Sequence, residues 1–128
     1  MRESNHIQKV LVVDDDEGVR ELLHLTLASL GFEVFDAGDA EKGLEIFESE
    51  FPDLVITDFS MGVIDGGEFA RMLKSIDPLT PIMLITGYLV GSELELICAD
   101  SILTKPFRRE ALANQLQSLG LEINVVAA

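Results

Sequence analysis

The chain is poor in cysteine, tryptophan and basic residues. The shortage of cysteine bears on disulfides, and the shortage of basic residues bears on nucleic-acid binding. Cys98 is the only cysteine, so no internal disulfide can form, and its apolar neighbours predict a packed, inert thiol. There is no tryptophan, and nine Lys and Arg stand against 23 Asp and Glu, for a formal net charge of −14. Nucleic-acid binding depends on basic residues that displace counterions from phosphates, so we expect no direct nucleic-acid binding and favour cations and basic partner surfaces.

Long apolar runs are also missing. No stretch reaches the roughly 18 consecutive apolar residues that a membrane span needs. The N-terminal sequence MRESNHIQK has no apolar signal core. We therefore expect a cytoplasmic protein that does not enter the membrane.

What the chain has instead is a regular alternation of apolar strands and amphipathic helices. The β-branched run KVLVV (residues 9–13) precedes a helical pattern that ends at Gly31, and four further strand and helix pairs follow. Apolar strands bounded by helices are typical of a parallel sheet covered on both faces. We predict the α/β class, a three-layer α/β/α sandwich with a five-stranded parallel sheet, in one domain over residues 9–121. Residues 1–8 are then an N-terminal extension, and residues 122–128 a tail or linker stub.

Polar residues stand where four of these strands end. In open α/β sheets, ligands bind outside the carboxyl ends of the strands. Crowded carboxylates repel one another unless a hard cation with oxygen ligands neutralises them, and Mg²⁺ is the natural candidate. This pattern favours Asp58 as a nucleophile toward phosphorus, with a lysine and a hydroxyl to hold the other phosphoryl oxygens. The residues at the strand ends are Asp14, Asp15 and Asp16, then Asp58, then Thr86 and Gly87, and finally Lys105 and Pro106.

These motifs resemble the receiver domain of two-component response regulators, over nearly the whole chain. The resemblance is carried by VVDDD, by the Asp58 of LVITD, by the Thr86 of LITG and by the Lys105 of LTKPF. It implies a flavodoxin-like strand order 2-1-3-4-5 and a signalling domain that is not an enzyme beyond assisting its own phosphorylation and dephosphorylation. It also implies that Asp58 accepts phosphate from a histidine kinase or a phosphotransfer protein.

The resemblance assigns a role to each site residue. Asp14, Asp15, Asp58 and the backbone carbonyl of Ser60 are expected around Mg²⁺, with Asp14 acting through a water. Lys105 is expected to pair with the phosphoryl group after a cis bond to Pro106, and the Thr86 hydroxyl to move toward that group. Asp16 is an extra acid that the metal site does not need, and its position before the first helix predicts an N-cap or a first-turn charge.

Three positions depart from the family pattern. Ile102 stands where an aromatic switch residue is usual, so that role is either weakened or carried by Tyr88 or Phe107. Residues 88–101 are about one helical turn shorter than the family norm, which predicts a short, displaced or mobile helix. Gly62 stands where the family usually has a proline, in the loop after Asp58, and phosphorylation of Asp58 should not depend on that proline.

Other functions of the same fold fit less well. A flavin-binding module needs a Ser/Thr/Gly-rich phosphate loop where DDDEG stands. A phosphatase with an aspartyl-phosphate intermediate usually has a second acid where Ser60 stands. The serious alternative is a pseudo-receiver, a protein-interaction module that signals without phosphorylation.

The kinase, the output partner and the process controlled stay open. The signal is expected to pass by contact, by homodimerisation or through an output domain outside these residues. Among the remaining residues, His24 is expected to be solvated without a carboxylate or metal around it. Core packing is the default for Phe47, Phe51 and Phe69.

Overall fold

The computed structural model describes residues 7–87 and 98–125, which form five strands and four helices. Within those ranges no helix has the length and apolar character needed to cross a membrane. The helix predicted after strand four falls mostly on residues 88–97, outside the described residues. The elements are β1 (Lys9–Val13), α1 (Glu17–Ser29), β2 (Glu33–Ala37), α2 (Ala40–Glu50), β3 (Leu54–Asp58), α3 (Gly66–Ile76), β4 (Ile82–Thr86), β5 (Ser101–Thr104) and α4 (Arg109–Ser118).

All strand pairs in the sheet are parallel, in the order β2-β1-β3-β4-β5. The predicted class, layers and strand order are therefore confirmed. The register places Val13 opposite Thr57, Asp58 opposite Ile85 and Thr86 opposite Thr104. Because the strands are parallel, their carboxyl ends share one edge of the sheet.

Alternate residues of each strand pack against opposite helix layers. Val10 and Val12 belong to a buried cluster with side chains of α1 and α4, whereas Leu11 and Val13 pack with side chains of α2 and α3. Burial of each such side chain contributes about 1.5–3 kcal/mol. This burial on both faces explains why the strands read as continuous apolar runs.

Three aspartates begin helices. The Asp16 side chain accepts hydrogen bonds from the Gly18 and Val19 N–H groups, at 2.9 and 3.2 Å, which confirms the predicted N-cap. Asp39 and Asp65 cap α2 and α3 in the same way. Caps of this kind stabilise a helix by about 1 kcal/mol each, so some of the acidic residues of the chain serve to stabilise helix starts.

Phe51 and Cys98 are exposed where the sequence predicted burial. Phe51 is 80% exposed, since it lies beyond the last turn of α2, while Phe47 and Phe69 are buried as predicted. Cys98 lies before β5 and is exposed, so the prediction of a packed thiol is wrong.

The residues after α4 pack back onto the turn between α1 and β2. The Asn124 N–H donates to the Leu30 carbonyl at 2.8 Å, and the Glu122 N–H donates to Oε1 of Gln8 at 2.9 Å. Gly31 has a φ of +97°, and a Cβ there would lie 2.5 Å from the Asn124 carbonyl oxygen. Glycine is therefore required where the tail crosses this turn.

Candidate functional site

Three carboxylates meet at the carboxyl edge of the sheet. Asp14 and Asp15 follow β1, Asp58 is the last residue of β3, and carboxylate oxygens of the three lie within 4.8 Å of one another. We call Asp14, Asp15 and Asp58 the acidic cluster. Asp14 and Asp58 are only 1% and 6% exposed, whereas Asp15 is open to solvent. Two of the three charges are thus held largely out of water.

Asp14 is the deepest member of the acidic cluster. Its backbone N–H donates to the Ala37 carbonyl at 3.1 Å, and its Oδ1 accepts from the Asp16 N–H at 2.9 Å. Its Oδ2 is buried without a hydrogen-bond partner among the described residues. Burial raises the pKa of Asp14, and the charges of Asp58 and Asp15 add to this, against the Asp16 N–H and Lys105, which lower it.

Lys105 supplies the positive charge that faces the acidic cluster. Its Nζ lies 2.8 Å from Oδ1 of Asp58. Partial burial opposes the charged form, but the hydrogen bond to Asp58 and the negative charges nearby outweigh it and raise the pKa of Lys105. The Lys105–Pro106 peptide bond is cis, as the family resemblance predicts.

Thr86 and Lys105 are neighbours through the backbone. Thr86 is buried at the end of β4, and its carbonyl accepts from the Lys105 N–H at 2.7 Å. A Cβ added at Gly87, the residue after Thr86, would meet no described atom within 4 Å. Ser60 lies in the exposed loop that follows Asp58. The structure thus brings the acidic cluster and Lys105 together at the edge where Thr86 and Ser60 also lie.

Arg20 supports the loop that carries Asp14, a contact absent from the sequence-based predictions. Its Nη1 donates to the Asp14 carbonyl at 2.8 Å. A Cβ at Gly38 would come within 3.3 Å of that same nitrogen, so the small residue leaves room for the guanidinium. The sequence signal was weak, because Arg20 occurs among the polar residues of an amphipathic helix.

Gly66 allows the start of α3 to approach the end of β3. Its N–H donates to the Phe59 carbonyl at 2.8 Å, and an added Cβ would lie 2.3 Å from the Asp58 carbonyl oxygen and 2.8 Å from the Phe59 Cα. No side chain fits there without a shift of the backbone that carries Asp58. The consecutive glycines at 66 and 67 were the available signal.

His24 has a carboxylate partner, contrary to the prediction of a solvated side chain without one. Its Nδ1 lies 2.7 Å from Oδ2 of Asp36, and both side chains are partly exposed. The pair joins α1 to β2. Such a contact between two elements has no signature in the local sequence.

Ile102 and Gly62, two of the departures from the family pattern, lie among the described residues. Ile102 is half-buried on β5, opposite Leu84. Phe107 is half-buried against the α1 and α4 side of the core, while Tyr88 lies outside the described residues. A Cβ added at Gly62 would meet no atom within 4 Å in the described part of the chain.

The donor atoms of this site fit a hard divalent cation. Three carboxylates surround one ammonium group, and among the described residues a buried carboxylate oxygen of Asp14 has no hydrogen-bond partner. Carboxylate oxygens are the ligands that Mg²⁺ prefers, and a site with few protein ligands leaves coordination positions for water and phosphate oxygens. The arrangement is thus suited to binding a metal ion and a phosphoryl group side by side.

Comparisons with known proteins agree with this geometry. A family model described as the response regulator receiver domain matches residues 10–117. A probable transcriptional regulator, ycf27, of Cyanophora paradoxa is 35% identical over 117 residues, which cover 88% of this chain and 48% of that protein. The chain spans about half the length of the curated relatives of this type that it matches.

Two solved structures are similar over most of their length. The chemotaxis protein CheY4 of Vibrio cholerae has a TM-score of 0.85 and 30% identity, covering 89% of this chain and 99% of its own. The response regulator TrrA of Thermotoga maritima, solved in complex with Mg²⁺ and BeF, has a TM-score of 0.82 and 34% identity. That match covers 88% of this chain and 99% of the TrrA chain.

Proposed function

This chain belongs to the response regulator receiver domain family, and from that premise we propose that Asp58 accepts a phosphoryl group from the phosphohistidine of a histidine kinase or a phosphotransfer protein. One observation carries the proposal. Asp58 ends a buried strand inside the acidic cluster, with its Oδ1 2.8 Å from the Lys105 ammonium. The ion pair fixes the orientation of an ionised carboxylate at the sheet edge where ligands bind.

The transfer forms one bond and breaks one. A carboxylate oxygen of Asp58 bonds to phosphorus, and the bond between phosphorus and the donor imidazole nitrogen breaks. The electron pair of that bond stays on the imidazole nitrogen, which takes a proton from solvent. Lys105 Nζ then pairs with a phosphoryl oxygen, which replaces part of its contact with Asp58.

We propose Mg²⁺ as the cation of this site. The carboxylates of Asp14, Asp15 and Asp58 and the backbone carbonyl of Ser60 would hold it. The buried Oδ2 of Asp14, which has no partner among the described residues, supports this assignment. When bound, Mg²⁺ supplies positive charge against the phosphoryl oxygens during transfer. Arg20 holds the Asp14 backbone in place, and Asp16 keeps the following helix start fixed.

Phosphorylation acts as a switch through Thr86. We propose that the Thr86 hydroxyl moves toward the phosphoryl group and shifts a two-state equilibrium, with Gly87 beside it contributing no side chain. Phe107 is the described aromatic residue closest in sequence to Lys105 that can repack in response. The output is a change in protein contacts, and a coupling of about 1–3 kcal/mol would change partner affinity about 5- to 150-fold.

A pseudo-receiver is the second candidate function, and Ile102 is the observation that favours it. A branched aliphatic side chain cannot rotate a planar ring between buried and exposed positions. A module of this kind would keep the fold and the acidic cluster but signal without phosphate. The ion pair between Lys105 and Asp58 favours the phosphorylated switch over this alternative.

The test is phosphorylation by acetyl phosphate, with Mg²⁺ or with EDTA, followed by intact-mass measurement. Wild-type protein should gain one phosphoryl group only with Mg²⁺, and hydroxylamine should remove it, since an acyl phosphate is labile to that reagent. Asp58→Asn should gain none. Asp36→Asn is the matched control, because Asp36 lies on β2 and pairs with His24.

Two results would contradict the proposal. Wild-type protein that stays unmodified while folded and metal-loaded would favour the pseudo-receiver. A phosphate that survives hydroxylamine, or that Asp58→Asn retains, would place the acceptor on another residue.

A further inference from the structure

A groove between the ends of α2 and α3 lies away from the acidic cluster. Its volume is about 390 Å³, and its apolar wall consists of Phe47, Phe51, Pro52 and Ile76. The two helices end here and the next strands begin, so the groove faces the edge of the sheet opposite the carboxyl ends of the strands. Phosphoryl transfer at Asp58 does not use it.

Phe51 is the notable side chain of this groove. It is 80% exposed and has a φ of +50°, the left-handed conformation in which helices usually place glycine. Its N–H donates to the Phe47 carbonyl at 3.2 Å, which fixes the helix end. A large apolar residue thus occupies a strained position without being buried. Such a combination is expected where the side chain serves a contact with another molecule.

The charge around the groove narrows the choice of partner. Glu48 and Asp77 line it, and the described residues of its lining include neither Lys nor Arg. Asp77 accepts hydrogen bonds from the Thr80 hydroxyl at 2.8 Å and the Leu79 N–H at 3.0 Å, which lower its pKa and keep it ionised. A second copy of this chain would bring another formal charge of −14, so self-association is opposed.

We propose that this groove binds a basic amphipathic helix of a partner protein. Apolar residues of that helix cover Phe51 and Ile76, and its Lys or Arg residues face Glu48 and Asp77. An apolar groove that receives one face of a helix is a common recognition mode. The surface is independent of phosphorylation, so the failure of one proposal leaves the other standing.

The probe is a synthetic, dye-labelled amphipathic helix of leucine and lysine, about four turns long. A peptide of the same composition with the leucines scattered around the helix controls for charge attraction alone. Fluorescence anisotropy gives the dissociation constants, and amide chemical shifts of labelled protein give the location. Binding should shift residues 47–51 and 76–80, and the scattered peptide should bind at least about tenfold more weakly.

Two pairs of variants separate the groove from the rest of the acidic surface. Glycine adopts the left-handed backbone conformation of residue 51 without strain, so Phe51→Gly should keep the fold. It should weaken binding of the helical peptide about tenfold, as expected for loss of an aromatic anchor. Val63→Ser, at a fully exposed residue of the loop after β3, should leave binding within about twofold. Glu48→Gln should weaken binding more than Glu41→Gln, at the other end of α2.

Each other outcome overturns the proposal. Shifts centred on the acidic cluster, or equal affinity for Phe51→Gly and Val63→Ser, would mean generic attraction to an acidic protein. Sedimentation that shows a wild-type dimer and a Phe51→Gly monomer would make the groove an interface between copies of this chain.

Discussion

Replacement of Asp14 with asparagine should make the metal-free protein more stable at neutral pH. Burial and two neighbouring carboxylates raise the pKa of Asp14, so its ionised form opposes folding. The penalty is absent below the ordinary pKa of 3.8, and it grows as the pH rises through the raised pKa of the folded state. The asparagine side chain would carry no charge, and its amide could donate to a neighbouring carboxylate.

The size of the gain follows from the spacing of the charges. At an effective dielectric constant of about 20, two unit charges 4.8 Å apart repel by about 3.5 kcal/mol. Attraction to Lys105 and solvent around Asp15 reduce the net effect. A buried polar atom without a partner costs about 1–3 kcal/mol, and we expect Asp14→Asn to recover a free energy in that range.

Urea unfolding followed by circular dichroism measures this, since the chain has no tryptophan to report on folding. In EDTA at about pH 7.5, Asp14→Asn should unfold at higher urea than wild type, and the difference should vanish at about pH 3. The control Asp15→Asn should gain less, because Asp15 is exposed. In Mg²⁺ at about 100 times its dissociation constant, wild type should gain about 2.7 kcal/mol, which offsets most or all of the advantage of the variant. A metal-free variant less stable than wild type at neutral pH would refute the reasoning.

Three other changes test the parts that hold the site. Gly66→Ala places a Cβ 2.3 Å from the Asp58 carbonyl oxygen and should lower the unfolding free energy by about 1–3 kcal/mol in the same urea assay. The control Gly62→Ala adds a Cβ that meets no described atom within 4 Å, and its unfolding free energy should stay within about 0.5 kcal/mol of the wild-type value. Arg20→Gln removes the hydrogen bond that supports the loop of the acidic cluster, so Mn²⁺ binding measured by electron paramagnetic resonance should weaken while the circular dichroism spectrum is retained. The pKa of Lys105 is raised above 10.5, so wild type should lose stability as the pH rises through that pKa. Lys105→Met should not show this loss. Thermal unfolding measured at a series of pH values tests both statements.

The sequence predicted the fold and the strand-end residues for a topological reason. Apolar runs alternating with helices specify a parallel sheet, and a parallel sheet gathers the carboxyl ends of its strands at one edge. Asp14, Asp58 and Lys105 each stand at or next to such an end, so their proximity followed once the sheet was specified. The sequence paired Lys105 with a phosphoryl group, and the ion pair of Lys105 with Asp58 was found only in the structure.

The features that escaped prediction depend on contacts between elements or on the end of a helix. The hydrogen bond of Arg20 to the Asp14 carbonyl and the pairing of His24 with Asp36 arise only after α1 packs on the sheet. Phe51 has a hydrophobic side chain, but its exposure follows from the residue at which α2 ends. Helix boundaries are poorly specified by local sequence, because tertiary packing decides where the last turn forms.

The central claim is that Asp58 carries the phosphate, and reduction of the phosphorylated protein with borohydride tests it most directly. Borohydride converts an aspartyl phosphate into homoserine, which tandem mass spectrometry locates after proteolysis. We expect homoserine at position 58 alone, after treatment with acetyl phosphate and Mg²⁺. Homoserine at position 14 or 15, or intact aspartate at position 58 in protein that has gained a phosphoryl group, would contradict it.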